Sequence, residues 1–293
     1  MKERVGSINC FEQTKNSTNN FSKECIDEVD TIISSGRILG ESNLNIRDLS
    51  YLKTYTIDNS NTYEIDDAIS IDNKNGNNII WIHISNPALY IEIDSCLDKE
   101  ARRRSSSLYF VDSYISMFPE DSIQDKLSLK QGEERITLSI SIIIGANGEI
   151  INSEICLGLI SINYNLSYED IDEILELSPK EEKEIVVIYK LLMLRRSYRT
   201  KNCPLVIEQN EGIISYINNI LDLKVISKTR SRLLIEEAMI LAGYIASKFA
   251  IKNSIPIPFR SQESSVISHL FHTENIYLRN FLLKKALNKA YIS

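Results

Sequence analysis

Four carboxylates fall within ten residues of one another in the segment Thr56-Ile57-Asp58-Asn59-Ser60-Asn61-Thr62-Tyr63-Glu64-Ile65-Asp66-Asp67-Ala68. Asp58, Glu64, Asp66 and Asp67 offer hard oxygen ligands. At this density they suit one or two magnesium ions, completed by water and a substrate phosphate. The alternative is a solvated turn, since Asn and Asp bond readily to their own backbone. A calcium loop is the nearest rival in spacing, with Asp58, Ser60, Thr62, Glu64 and Asp66 on alternate positions. It fails where that loop needs a glycine and a closing glutamate, because Tyr63 and Ile69 stand there. The setting favours a metal site. Apolar β-type runs, Tyr55-Thr56-Ile57 and Ala68-Ile69-Ser70-Ile71, flank the cluster, and like charges held against a buried sheet need a cation or protons between them.

These flanks belong to a strand-rich region. A period of two runs over 54–57, 69–72 and 78–85, separated by Asn/Gly turns, and a helix follows over 94–106. The strongest hairpin joins 135–144 to 149–162 through Gly145-Ala146-Asn147-Gly148. The remainder is mainly helical. Ser167 caps a helix over 168–175, and 180–200 carries a stripe of Ile185, Ile188, Leu191, Leu192 and Arg195. A strand pair is predicted at 205–209 and 213–217. Residues 231–252 place Leu234, Ala238, Leu241 and Ile245 on one helical face, and further helices fall around 264–269 and 273–291. Residues 1–47 read as a polar arm, asparagine-rich over 14–20. Its one helix is capped by Ser22, striped by Cys25, Ile26, Val29, Ile32 and Ile33, and stopped by Gly36. Strands first and helices second predict an α+β fold, a mixed or antiparallel sheet packed by helices from the second half.

Composition narrows the function. The chain has 293 residues, 43% hydrophobic and 25% charged, with a net charge of −7, so wholesale disorder is excluded and a core is affordable in length. Acidity argues against non-specific coating of nucleic acid, though not against a channel with a local basic lining. No apolar run approaches the roughly 18 residues of a membrane span, and the N-terminus lacks a signal peptide, so no membrane partner and a cytoplasmic location are expected. Cys10, Cys25, Cys96, Cys156 and Cys203 are odd in number and scattered, and read as reduced thiols. His269 and His272 share a helical spacing without a third ligand, so a solvated pair is the better reading. His83 reads as a satisfied sheet residue. Arg195-Arg196-Ser197-Tyr198-Arg199 reads as a surface helix end.

Read in order, the segments resemble one family. Thr56-Ile57-Asp58 with Glu64-Ile65-Asp66-Asp67-Ala68 resembles the signature of the ribonuclease II/R (RNB-domain) exoribonucleases, in wording nearest the cyanobacterial and plastid branch. Further agreement comes from Trp81-Ile82-His83-Ile84-Ser85, from Leu97-Asp98-Lys99-Glu100-Ala101-Arg102-Arg103-Arg104 with Ser107-Leu108-Tyr109-Phe110, and from Met117-Phe118-Pro119-Glu120. It continues through Leu127-Ser128-Leu129, Glu134-Arg135-Ile136-Thr137-Leu138-Ser139, Leu166-Ser167-Tyr168-Glu169-Asp170-Ile171, Glu236-Glu237-Ala238-Met239-Ile240-Leu241-Ala242 and Ile255-Pro256-Ile257-Pro258-Phe259-Arg260.

The resemblance implies 3′-to-5′ hydrolysis of single-stranded RNA to nucleoside 5′-monophosphates, assisted by magnesium or manganese, with no DNA expected as substrate. It implies that Asp58 and Asp67 hold metal, and that Glu64 and Asp66 order a second metal or the attacking water. Glu64 and Asn86 each replace an aspartate of the better-known members. Tyr109 matches an aromatic that stacks on a base. Tyr168 and one of Glu236 or Glu237 match groups that select ribose, which suits a hydrogen bond to the 2′-hydroxyl. Arg104, with Arg102 and Arg103, either lines a channel to the phosphates or forms a solvated helix face.

The family's Ser-Pro-Ile-Arg-Arg-Tyr segment and its flanking OB-fold modules have no counterpart in these 293 residues. An arginine at a phosphoryl transition state is worth about 10³–10⁵ in rate. The expectation is therefore 48–293 as the N-terminal portion of an RNB catalytic domain lacking its C-terminal part. Activity would be impaired in isolation and completed by a second polypeptide; the alternative is a non-catalytic RNA-binding remnant.

Overall fold

In a computed structural model of the chain, the structure describes residues 21–36, 38–40, 44–60, 62, 64–74, 76–110, 114–119, 123–202, 207, 211–217, 220–263 and 273–293. The Asn-rich stretch at 14–20, the helix at 264–269, His269, His272, Cys10 and Cys203 lie outside them. In chain order the described elements are α1 (Lys23–Ser35), β1 (Ile46–Asp48), β2 (Thr54–Asp58), β3 (Asp67–Lys74), β4 (Asn77–Ser85), α2 (Cys96–Arg104), β5 (Leu108–Tyr109), β6 (Tyr114–Ile115), α3 (Ile123–Leu127), β7 (Glu134–Ile144) and β8 (Ile150–Ser167). They continue with α4 (Tyr168–Leu177), α5 (Lys183–Asn202), β9 (Glu211–Ile217), β10 (Ile220–Ile226), α6 (Arg230–Asn253), β11 (Arg260–Ser261), α7 (Ile276–Ala286) and β12 (Tyr291–Ile292).

The α+β expectation holds. Six strands form one mixed sheet in the order β1-β8-β2-β3-β4-β7, and β7 also pairs with β8, so the pairings run in a closed circuit. The long strand β8 makes this possible. Its first part pairs antiparallel with β7, and its last residues, Ile162 to Ser167, pair parallel with β2. Alternation divides the sheet residues between two clusters. Tyr55, Ile57, Ile69, Ile80, Ile82, Ile140 and Ile142 pack against α4, α5 and α6 through Ile171, Ile185, Ile188, Leu192, Leu234, Leu241 and Ile245. Ala68, Trp81, Ile160 and Ile162 gather with Leu49, Leu52 and Leu129 on the other side. On that side His83 is fully buried between the Ser70 hydroxyl at 2.9 Å and the Ser139 hydroxyl at 2.8 Å. Burial pulls its imidazole down to about 3, so it stays neutral as a satisfied sheet residue.

Local chemistry fixes the joints. Ser167 ends β8 and caps α4 with a reciprocal box, its hydroxyl accepting from the Asp170 N–H while the Asp170 carboxylate accepts from the Ser167 N–H. At the β7–β8 turn, Gly148 has φ +90°, and a Cβ there would lie 2.5 Å from the Leu194 carbonyl of α5. Only glycine both adopts that backbone and lets the hairpin tip touch α5.

Glu211–Ile217 pairs antiparallel with Ile220–Ile226, from Ile217↔Ile220 to Glu211↔Ile226; of the predicted partner strand 205–209 only Ile207 lies among the described residues. Two expectations are corrected. The helix predicted over 273–291 stops at Ala286, because Phe259 and Ser293 exchange backbone bonds that draw the following residues into a strand pair with Arg260–Ser261. Cys25 and Cys96, expected as thiols, are joined in a disulfide. Cys25 and Val29 on α1 bury against Leu97, Ile123 and Leu127, and this packing brings Cys25 to Cys96 across 71 residues of chain.

The stripe on α5 carries much of the larger cluster, and Ile188 is fully buried in it. Ile188→Ala is expected to cost about 2–5 kcal/mol. Urea titration monitored by circular dichroism will show this as a lowered midpoint with an unchanged slope.

Candidate active site

Register brings the carboxylates together. β2 and β3 run antiparallel with Tyr55 opposite Ile69. Asp58, the last residue of β2, and Asp67, the first of β3, therefore lie at the same end of the sheet. The loop between them is tied down along its length. The Thr62 N–H donates to the Asn59 carbonyl at 2.9 Å, and the Thr62 hydroxyl donates to the Asp58 carboxylate at 3.2 Å. The Ile65 N–H donates to the Ser128 hydroxyl at 3.1 Å, the Ile65 carbonyl accepts from Leu129, and the Asp66 carbonyl accepts from Ser85.

Asp58, Asp66 and Asp67 are raised above the ordinary carboxylate range. Burial pushes Asp67 up to about 7, with the charges of Asp58 and Asp66 adding to it. Asp58 is raised chiefly by burial. Asp66 keeps solvent contact but sits in a concavity, and is raised by loss of hydration, by Glu64 and by Asp58. Asp67 Oδ2 is a buried oxygen without a hydrogen-bond partner among the described residues. Among those residues no three acidic, histidine or cysteine side chains stand close enough together to hold an ion in this arrangement. The donor chemistry fits a divalent cation all the same: like-charged, poorly hydrated carboxylates, one with an orphaned buried oxygen, are stabilised by one.

Glu64 is bound by three hydroxyls. Its Oε1 accepts from the Ser107 hydroxyl at 3.0 Å and the Ser116 hydroxyl at 2.9 Å, and its Oε2 accepts from the Tyr109 hydroxyl at 2.9 Å. Sequence reasoning missed both serines, which lie 43 and 52 residues along the chain. Glu64 and Asp66 line a cleft of about 480 Å³ together with Tyr109, Pro87 and Phe118. The Tyr109 ring is 61% exposed and stacks on Tyr114 at 5.8 Å. Its hydroxyl is raised by burial and by the bond to Glu64.

Arg104 has a different environment from the channel lining suggested for it. Its side chain is only 5% exposed, paired with Glu100 at 2.8 Å, donating to the Ser116 carbonyl at 2.9 Å and stacked over Phe21 at 3.8 Å. It fixes the Glu64 cradle from behind. Arg102 and Arg103 are the solvated face, paired with Asp98 and Glu100. Arg195 and Arg199 are likewise not a bare surface end. Arg195 is buried and donates to the Gly148 carbonyl at 3.1 Å, and Arg199 forks onto Glu237 at 3.0 and 2.8 Å.

That fork separates the two glutamates. Glu237 is 1% exposed and spent on Arg199. Glu236 is partly exposed on the opposite flank of α6, paired with Lys228. The parallel register Asp58↔Ser167 sets the start of α4 beside the acidic loop, so Tyr168 stands there too. Arg232 of α6, which sequence reasoning did not single out, lies over the Tyr168 ring at 4.3 Å and donates to Asn59 at 3.0 Å. The start of α6 is itself anchored to α4 by Ser231, whose N–H and hydroxyl each donate to the Asp172 carboxylate at 2.9 Å.

The sheet, the cap at its end and the acidic loop together define an RNB-type domain. The RNB domain family matches residues 46–290. An uncharacterized ribonuclease of Synechocystis is 36% identical over 217 residues, 73% of this chain and 33% of that protein. The chloroplastic/mitochondrial ribonuclease II of Arabidopsis thaliana is 32% identical over 227 residues, 75% of this chain and 28% of that protein. Mycoplasma genitalium RNase R, solved in complex with ribose methylated single-stranded RNA, superposes with a TM-score of 0.82 at 17% identity, covering 94% of this chain and 49% of that one. The chain belongs to the RNB family. It spans about a third of the length of the curated relatives it matches. Among the described residues, no helix is long and apolar enough to cross a membrane.

The raised Asp67 gives a signed expectation. The proton it holds in the folded chain favours folding fully below its ordinary value of 3.8, and that contribution is lost as pH rises through about 7. Asp67→Asn is therefore expected to be more stable than wild type at pH 8 and to differ less at pH 5. Millimolar magnesium should raise the wild-type melting temperature by a few degrees and leave the variant little changed, which differential scanning fluorimetry will read.

Proposed function

We propose that this chain works as a 3′-to-5′ exoribonuclease on single-stranded RNA, releasing nucleoside 5′-monophosphates with magnesium, or manganese in its place. The observation that carries the reading is the placing of Asp58, Asp66 and Asp67 at one sheet end, beside a cleft that presents Tyr109. A bound divalent ion would polarise the phosphodiester and lower the pKa of an attacking water. Asp58 and Asp67 would hold it, with Asp66 to order the attacking water. Glu64 keeps the loop and the Tyr109 segment in one piece, so that a base stacked on Tyr109 lies at a fixed distance from the carboxylates. Stacking is sequence-tolerant, as a stepwise degrader needs. Tyr168 and Glu236 take the ribose-selecting role, Glu236 because Glu237 is buried against Arg199. Selection at the 2′-hydroxyl would exclude DNA. RNase R in complex with single-stranded RNA, as the superposed structure, supports RNA as the ligand.

The curated relatives hold about two thirds of their length outside the matched region. We expect the 293 residues alone to turn RNA over slowly, and the remaining segments, on this chain or on another, to complete the site. The exposed apolar residues of α7, Tyr277 and Phe281, offer a surface for such a contact. Residues 1–47 act in this reading as an arm docked through α1, and 48–293 as the N-terminal portion of the catalytic domain, working in the cytoplasm. A second reading, binding without turnover, is favoured because no three donors among the described residues stand close enough to hold an ion in this arrangement.

Incubation of 5′-labelled single-stranded RNA with the purified chain and magnesium decides between them. The expected outcome is slow shortening from the 3′ end, lost with EDTA and in Asp67→Asn, with a DNA oligonucleotide untouched. RNA bound but not shortened would support the second reading. Tyr109→Ala should weaken RNA binding about 10- to 100-fold, measured by fluorescence anisotropy.

A further inference from the structure

One covalent bond ties the N-terminal arm to the wall of the cleft. Its ends are Cys25 of α1 and Cys96 of α2. Beside it the Glu28 carboxylate of α1 accepts from the Leu97 N–H at 3.1 Å, and Cys25 and Val29 bury against Leu97, Ile123 and Leu127. Leu127 and Phe118 belong to this small cluster and also line the cleft that presents Tyr109. Just before α1, the Phe21 ring lies 3.8 Å from the Arg104 guanidinium carbon. Arg104 donates to the Ser116 carbonyl, the Ser116 hydroxyl donates to Glu64, and Glu64 accepts from the Tyr109 hydroxyl. The arm therefore reaches the Tyr109 ring by two routes, one apolar and one polar.

Two roles suit such a bond. It could be a permanent staple, or it could open and close and carry its state to Tyr109. Three considerations favour the second. In a reducing compartment, such as the cytoplasm proposed above, a protein disulfide is usually transient and redox-sensing. The bond is reachable from solvent: Cys25 is buried, but Cys96 is partly exposed, and both line a surface pocket with Ser22, Glu24, Ser95 and Lys99. The cluster around it is a satellite of the main core, so the opened arm belongs to the part of the fold that loosens most easily.

We propose that the Cys25–Cys96 bond is a redox switch on RNA binding. Closed, it holds α1 against the cleft wall and Tyr109 in its base-stacking place; opened by a dithiol reductant, it frees the arm and weakens the grip on RNA. The inference rests on the exoribonuclease reading and deepens it, by naming how the stacking platform is regulated. Opening takes two exchanges. A thiolate of the reductant attacks Cys96 Sγ, the protein S–S bond breaks, and Cys25 leaves as a thiolate and takes up a proton. The second thiol of the reductant then attacks the mixed disulfide and releases Cys96 as a thiol. The reductant ends as a disulfide, and its two electrons reside on the protein pair. The closed form binds better because its platform is ordered in advance.

The test is equilibrium binding of a 5′-fluorescent oligouridylate in EDTA, where no turnover occurs, by the full chain after oxidised glutathione and after dithiothreitol. Iodoacetamide labelling and mass spectrometry read the state of Cys25 and Cys96. Reduction is expected to weaken binding about five- to tenfold, within the reach of one stacked base, and to speed hydrogen exchange over 23–35. Cys96→Ser should bind as the reduced chain does and be indifferent to dithiothreitol, which separates this pair from Cys10, Cys156 and Cys203. Tyr109→Ala should lose most of the redox difference, which a bond acting on stability alone would leave intact. Thermal melts report folding, and if Cys96→Ser unfolds, the reduced wild type carries the same comparison. Equal affinity in the two states, a full redox difference persisting in Tyr109→Ala or Cys96→Ser, or complete labelling of Cys25 and Cys96 after oxidation would overturn the proposal. Wild type that binds and shortens RNA alike in both states sinks this inference alone. Wild type that binds no RNA in either state sinks the exoribonuclease reading with it.

Discussion

Crowding of three carboxyls with reduced hydration is the constraint around which the rest of the domain is arranged. Asp58, Asp66 and Asp67 are held at one end of a hydrophobic sheet, where lost hydration raises all three, Asp58 adds to the rise of Asp66 and Asp67, and Asp66 adds to that of Asp67. A chain left to itself would relieve that strain by letting the loop between β2 and β3 swing outward. It does not, because the loop backbone is bonded to Ser85, Ser128 and Leu129 on the neighbouring segments. The large apolar cluster beneath β2 and β3 holds the two strands in register, and so offsets the cost of keeping the acids together. Stability of the core and discomfort of the site are two sides of one arrangement.

The fourth carboxylate shows how the same loop reaches further. Glu64 is one methylene longer than an aspartate and is bound by three hydroxyls from the 107–116 region. Behind them, Arg104 connects the Ser116 carbonyl to α2 through Glu100. Glu100 is itself lowered to about 2 by its bond to Arg103, with Arg104 adding to this, so the connection stays charged at any ordinary pH. The aromatic that faces the cleft is thus mechanically part of the acidic loop, although it belongs to a different stretch of chain.

Much of this was legible in the amino-acid order, and the exceptions have physical reasons. The strands around the acidic loop were readable because apolar residues alternate on both sides of it, and the α4 start was readable from Ser167. Arg199 was misjudged although the signal was present: with Ile185, Ile188, Leu192 and Arg195, which the stripe already included, it steps by three and four, which puts it on the inward side. Glu237 follows the same logic between Leu234 and Leu241, where Glu236 does not. The Cys25–Cys96 pair and the serines around Glu64 left no such trace. Their partners are distant in sequence, and nothing periodic links a cysteine or a hydroxyl to a residue dozens of positions away.

The closed circuit of strands has a consequence for how the protein comes into being. β2 obtains one neighbour, β3, within a few residues, but its other neighbour is the end of β8, with Asp58 opposite Ser167. Contacts across so long a stretch are late, because a large loop must close before they form. The cleft itself is lined by residues between Glu64 and Ser128, so it can take shape early, whereas Tyr168 is brought beside the acidic loop only when the end of β8 pairs with β2.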